Sequence, residues 1–96
     1  MEKFTMKNDN WRKYDIVADF TDDDVRQLIS LVGPYVNERK VEFDYNDVEV
    51  TKMTFLRDGF PIMELDFDDL TGVLIANDEI IAHPEIPGIT FARWEE

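Results

Sequence analysis

This chain contains few of the residues that act as nucleophiles or as their catalytic bases. The sequence has no cysteine, its single serine is Ser30 and its single histidine is His83. A serine triad needs these two side chains and an acid in one fixed geometry, whereas Ser30 falls on a predicted helix and His83 precedes Pro84 in a predicted loop. We therefore predict no catalytic residues. We interpret His83 as a surface residue, because a metal site needs several convergent ligands.

Carboxylates are the chemical groups that the chain has in excess, with 22 acidic residues against 10 basic ones. The segment Asp66-x-Asp68-Asp69 begins like a calcium-binding loop, but the sixth position is Thr71 instead of glycine and the twelfth is Asn77 instead of glutamate. On a strand, Asp66 and Asp68 would share one face. A weak divalent-metal site, or a metal-dependent enzyme built on it, is therefore one alternative, and solvated acids at a strand end are the simpler interpretation.

The sequence contains no cofactor-binding motif. The four glycines fall in neither the phosphate-loop nor the dinucleotide spacing. A glycosidase needs two carboxylates across a cleft, and a domain of 96 residues has little room for one. We predict no cofactor.

The total charge is the strongest functional signal. A formal net charge of -12 on 96 residues exceeds the magnitude of roughly 2–8 that suits a small domain. Nucleic-acid binders usually carry a basic patch, so we predict neither direct nucleic-acid binding nor adhesion to an anionic membrane. A basic protein surface is the natural partner. The acids that we assign to the binding surface are Asp22, Asp23, Asp24, Asp44, Asp47, Glu49, Asp66, Asp68 and Asp69.

A charge excess without a catalytic set predicts a non-enzymatic acidic protein-binding module. Its partner could be a nucleic-acid-binding protein, which makes the chain an inhibitor, an immunity-type factor or a DNA mimic of the phage or mobile-element kind. One alternative is a small structural protein that forms homo-oligomers through an open sheet edge. Another is that the charge only keeps the protein soluble. Trp11 and Trp94 are predicted to cap the sheet edges, with interface anchors as the alternative.

A helix is the element that the sequence specifies most clearly. Alternating apolar residues over 14–20 predict a strand before it. Thr21 is a good N-cap, with Asp24 completing a capping box, and Asp22–Asp24 suit the positive end of a helix dipole. Gly33-Pro34 ends the helix. The apolar stripe that faces the core is Val25, Leu28, Ile29 and Val32.

Hairpins are predicted for the middle of the chain. A strand over 41–45 would turn at Asn46-Asp47, which places Phe43 opposite Val50 and Asp44 opposite Glu49; a bulge is the alternative. Strands over 48–55 and 60–67 would flank a four-residue loop, 56–59, with Phe55 opposite Phe60.

The last third of the chain is predicted as a turn over 68–72, a hairpin of 73–76 with 79–82, and a final strand from Ile89. A short helix beginning near Asp69 is the alternative to that hairpin. The expected fold is therefore α+β: one amphipathic helix, about 21–33, packed on a largely antiparallel sheet of five to seven strands, in the order β-α-β-β-β-β-β.

Domain organisation and location follow from length and composition. We predict a single domain over 1–96, with residues 1–10 frayed. The sequence has neither a secretory signal nor a membrane-spanning run. It is therefore expected in the cytoplasm.

Overall fold

Six antiparallel strands form one sheet in the part of the chain that the structure, a computed structural model, describes: residues 11–18, 20–82 and 86–93. The spatial order is β2-β3-β4-β5-β1-β6. One long helix packs on this sheet, so the predicted α+β class and element order are confirmed. The strands are β1 (Arg12–Ala18), β2 (Glu38–Phe43), β3 (Val50–Arg57), β4 (Phe60–Asp66), β5 (Thr71–Ala76) and β6 (Ile89–Arg93), and the helices are α1 (Asp22–Val32) and α2 (Asp78–Ile81).

The long helix α1 follows its sequence signals closely. Thr21 and Asp24 form the predicted capping box, in which the Asp24 N–H donates to Thr21 Oγ1 at 3.2 Å. Leu28 and Val32 are fully buried, which confirms the apolar stripe. The ending differs in detail from a glycine cap, because Gly33 has φ -48 and starts a single 3-10 turn instead of turning left-handed.

The hydrophobic core lies between α1 and one face of the sheet. Side chains that are directly opposite across neighbouring strands fill it, for example Phe55, Met63 and Leu74 on β3, β4 and β5. Leu65 and Ile16 flank Gly72 in the next row. Full burial of such side chains stabilises the fold by about 1.5–3 kcal/mol each. The opposite face of the sheet carries the alternate residues of each strand.

The β2–β3 connection corrects the predicted two-residue turn. Four residues, 45–48, join the strands, because the Asp44 N–H donates to the Glu49 C=O at 2.9 Å and closes the loop one step earlier. Phe43 is opposite Val50 as predicted. The register also shifts beside Phe43, so the bulge that was the alternative is present together with the turn.

The β3–β4 hairpin has a shorter loop than predicted. Asp58 and Gly59 have φ of 49 and 83. Both values are positive, as a two-residue type I′ loop requires at its two central positions. Arg57 is therefore opposite Phe60, and the predicted pairing of Phe55 with Phe60 is wrong. A register shift between Phe55 and Leu56 then places the apolar side chains of β3 and β4 on the same face of the sheet.

The predicted hairpin after β5 is wrong, because residues 78–81 form α2 instead of a strand. Asn77 caps this helix, since its Oδ1 accepts from the Ile80 N–H at 3.0 Å, and Ile80 is fully buried. The alternative helix near Asp69 is also wrong, since residues 67–70 form a turn. The final strand from Ile89 is confirmed as β6.

Trp11 packs edge-on against Phe60, with ring centroids 5.8 Å apart, and so covers the core; it adjoins β1, an interior strand, instead of a sheet edge. Predictions for residues 1–10, Asp19, His83 and Trp94 lie outside the described residues.

Candidate functional site

Strand direction brings the nine predicted acids to one end of the sheet. At that end β1, β2 and β4 finish, while β3, β5 and β6 begin. The start of α1 and the β2–β3 and β4–β5 connections lie there as well. We call this region the acidic end and define it by residues 22–24, 44–49 and 66–70.

Asp44 gives the β2–β3 loop its shape. Its Oδ1 accepts from the N–H groups of Asn46 at 3.1 Å and Val48 at 3.0 Å. Hydrogen bonds to the carboxylate, that from Val48 first, lower the pKa of Asp44 below its ordinary 3.8, although desolvation opposes them. Asp47 completes the loop at φ 55, a conformation that aspartate tolerates better than most residues. Asp44 is thus a loop-building acid, whereas Asp47 and Glu49 are exposed.

Asp66 has the same role in the β4–β5 turn. Its Oδ1 accepts from the N–H groups of Asp68 at 3.0 Å and Asp69 at 3.2 Å, and the turn closes at Leu70 with φ 54. Asp66 is also opposite Lys52 on β3. Across the described ranges, no three His, Cys, Asp or Glu side chains are grouped closely enough to hold a metal ion. In these ranges, the weak metal candidates Asp66 and Asp68 therefore have no third such side chain beside them that could complete a metal site.

The start of α1 also has one acid that shapes the backbone and others that are exposed. Asp24 closes the capping box with Thr21, and the Asp23 carboxylate accepts from Gln27 Nε2 at 2.8 Å. Asp24, like Asp44 and Asp66, is only partly exposed. One acid in each segment therefore builds the backbone turn, and the exposed carboxylates are Asp22, Asp23, Asp47, Glu49, Asp68 and Asp69.

Exposed apolar side chains lie among these acids. Tyr45 and Val48, in the β2–β3 loop, are 95% and 75% exposed. Phe43, Leu70 and Val17 are each more than half exposed and lie where β2 ends, in the β4–β5 turn, and near the end of β1. These five are the exposed large apolar residues among the described ranges. Phe43, Tyr45 and Val48 lie within one hairpin, and neighbouring exposed apolar groups are typical of an interaction surface.

Sequence reasoning missed this apolar component. The alternation of Phe43 and Tyr45 with acids predicted a core-facing strand, and Val48 was assigned to the next strand. The loop instead begins at Tyr45, because the Asp44 N–H donates to the Glu49 C=O across the strands and the Asp47 N–H donates to the Asp44 C=O to close a turn. The Asp-Tyr-Asn-Asp sequence, rich in turn-forming residues, was the available signal.

A groove of about 750 Å³ opens between α1 and the start of β3 at this end. Asp22, Arg26 and Glu49 supply its charged groups. Phe20 packs edge-on against Phe67, with ring centroids 5.8 Å apart. The apolar lining consists of Phe20, Val25, Val50, Met53 and Phe67. We call this space the α1–β3 groove.

The remainder of the described surface mixes both signs of charge. Arg12 pairs with Asp78 at 3.5 Å at the opposite end, and Lys52 pairs with Glu64 at 3.2 Å on the open sheet face. The edge strand β2 carries charged exposed side chains along its length, which is how sheet edges usually resist pairing with another chain. Within the described ranges, the charge excess is therefore concentrated at the acidic end.

Ser30, the single serine, is exposed on α1. His83 lies outside the described residues, so the absence of a catalytic set stays a prediction.

No helix in the described ranges is both long and apolar enough to cross a membrane. Comparison with known proteins gave no match for this chain among protein-family models, curated proteins or solved structures.

Proposed function

We propose that the protein is a non-enzymatic binding module whose acidic end engages a basic surface on a partner protein. The observation that carries the proposal is that exposed apolar side chains and exposed carboxylates share this one end. Acidity that served solubility alone would not need Tyr45 and Val48 to be exposed among the acids. Protein interfaces combine apolar anchors with a polar rim.

The same observation ranks the predicted forms of the function. A DNA mimic needs carboxylates that reproduce the spacing of phosphates, and apolar side chains have no counterpart on the phosphate backbone. Tyr45, Val48 and Leu70 therefore favour an inhibitor or immunity-type factor over a mimic of phosphates alone. A nucleic-acid-binding protein in the cytoplasm remains the proposed partner class, because its basic surface attracts a chain of net charge -12.

The test compares two variants that each remove three negative charges. One variant neutralises exposed acids of the acidic end and keeps the turn-forming Asp44 and Asp66. The matched control neutralises exposed acids at the opposite end. The first variant is D47N/E49Q/D68N and the second is E38Q/D58N/E79Q.

Partner capture from source lysate is measured as salt is raised from roughly 0.05 M to 0.5 M, where screening shortens from above 10 Å to a few ångströms. We expect the unaltered protein to capture a specific basic protein at low salt. The acidic-end variant should lose it at a lower salt concentration, while the control retains it. If both variants lose the partner at the same salt concentration, net charge alone explains the binding. If the unaltered protein captures no partner at low salt, the proposal is contradicted.

A further inference from the structure

We propose that the α1–β3 groove binds an amphipathic cationic segment of the partner, in which an apolar side chain enters the groove beside a lysine or arginine. This inference rests on the proposed function and adds the chemistry of the ligand. The occupant is a peptide segment of a protein; nucleic acids and anionic lipids are not candidates, because the acids of this end would repel their negative charge.

The floor of the groove supplies the apolar half of the recognition. Val25, Val50 and Met53 come from α1 and β3, and all three are only partly buried. The volume of about 750 Å³ falls within the roughly 300–1,000 Å³ of ligand-binding clefts. An apolar side chain that enters would cover surface that the fold leaves accessible, which is favourable in proportion to the area removed from water.

The rim supplies the charged half. Asp22 at the start of α1 and Glu49 just before β3 both line the groove, and both are exposed. Arg26 lines it too, one turn after Asp22 on α1, and leaves the rim with one net negative charge. Glu49 and Phe67, which also line the groove, belong to the other two segments of the acidic end, 44–49 and 66–70. A cation next to the apolar anchor is therefore the complementary arrangement.

Two synthetic peptides of equal length and equal lysine content test this chemistry. One has leucine at every second position and the other has serine, so that net charge is matched and only the apolar contribution differs. Binding to the full chain at low salt is measured by calorimetry, and the site is located from amide chemical shifts. We expect the lysine–leucine peptide to bind roughly tenfold more tightly, the effect of burying about one leucine, and to shift the amides of Val25, Val50 and Met53, which line the groove outside the loops.

The variant V25F fills the groove, and the control V73F places the same bulk on the open face of the sheet, where Val73 lies opposite Glu64. We expect V25F to abolish the preference for the leucine peptide and V73F to keep it. A circular-dichroism spectrum checks that V25F folds; if it does not, the shift map of the unaltered protein decides between groove and loops.

The two proposals fail in different ways. Equal affinity for both peptides, with shifts confined to the loops at residues 44–49 and 66–70, would overturn the groove proposal and leave the acidic surface standing. Tight binding of the leucine peptide that V25F does not affect would also overturn it. If neither peptide binds, the proposed attraction to basic partners fails as well.

Discussion

Replacement of Gly72 by alanine is expected to destabilise the sheet where β4, β5 and β1 meet. Gly72 is buried and lies opposite Leu65 on β4 and Ile16 on β1. A Cβ built on it would lie 2.9 Å from Leu65 Cδ2, 3.2 Å from Ile16 Cβ and 3.3 Å from the Glu64 C=O oxygen. Carbon atoms prefer separations of about 3.5–4.0 Å, so neighbouring atoms must shift.

The magnitude follows from how little those atoms can shift. Leu65 and Ile16 are fully packed in the core, and overpacking of such sites costs about 1–3 kcal/mol. The smaller conformational freedom of alanine in the unfolded chain offsets about 0.4–1 kcal/mol. We expect a net loss of about 1–2 kcal/mol in the free energy of unfolding. At about 4–8 °C per kcal/mol for a domain of this size, Tm should fall by roughly 5–15 °C.

Gly33→Ala is the matched control. A Cβ at Gly33 meets nothing within 4 Å, and its φ of -48 suits alanine. We expect no loss, or a gain of up to about 1 kcal/mol. Urea unfolding followed by circular dichroism gives both free energies, and equal m-values confirm that the denatured states are comparable. If the Gly72 variant is as stable as the Gly33 variant, the packing argument is refuted.

Three further predictions concern the acidic end. Thr21→Ala removes the N-cap of α1 and should cost about 1 kcal/mol of stability in urea unfolding; no change would mean that Asp24 caps the helix alone. Asp44→Asn keeps an oxygen for the loop hydrogen bonds but loses the charge. Because the folded-state pKa of Asp44 is lowered, the stability that the charge contributes is present above its ordinary pKa of 3.8 and is lost as pH falls through the lowered value. The stability difference from the unaltered protein should therefore shrink below that pH, and a pH-independent difference would contradict this. Tyr45→Ala should leave the unfolding free energy within about 0.5 kcal/mol yet weaken partner binding by tenfold or more, as at a hot spot; unchanged affinity would exclude Tyr45 as an anchor.

Local signals predicted the elements that local interactions stabilise. The capping box at Thr21 and the apolar stripe of α1 involve residues three or four apart, and both are present. The Asp58-Gly59 turn was also visible locally. The sequence analysis missed this turn because a longer loop placed apolar residues of the two strands opposite each other. In the structure, a register shift between Phe55 and Leu56 aligns the apolar faces of β3 and β4, and the local sequence gives no signal for that shift.

Helix α2 shows the limit of alternation as a strand signal. Residues 79–82 resemble a short strand, but the Asn77 side chain caps a helical turn there and Ile80 packs into the core. Four residues are too few for periodicity to separate the two structures. Packing of α2 against β5, with Ile80 in the core, decides which one forms.

The sequence by itself determined the acidity, the α+β class, α1 and the identity of the candidate acids, because these depend on composition and on contacts between near neighbours. Only the tertiary structure decided that β1 lies between β5 and β6, a pairing of residues far apart in the chain that is selected by burial of one sheet face. That placement brings the start of α1 to the same end of the sheet as the β2–β3 and β4–β5 connections and so forms the α1–β3 groove. An interaction surface of this kind depends on which chain segments meet, and their meeting is set by the global burial of the core instead of by the local sequence of any one segment.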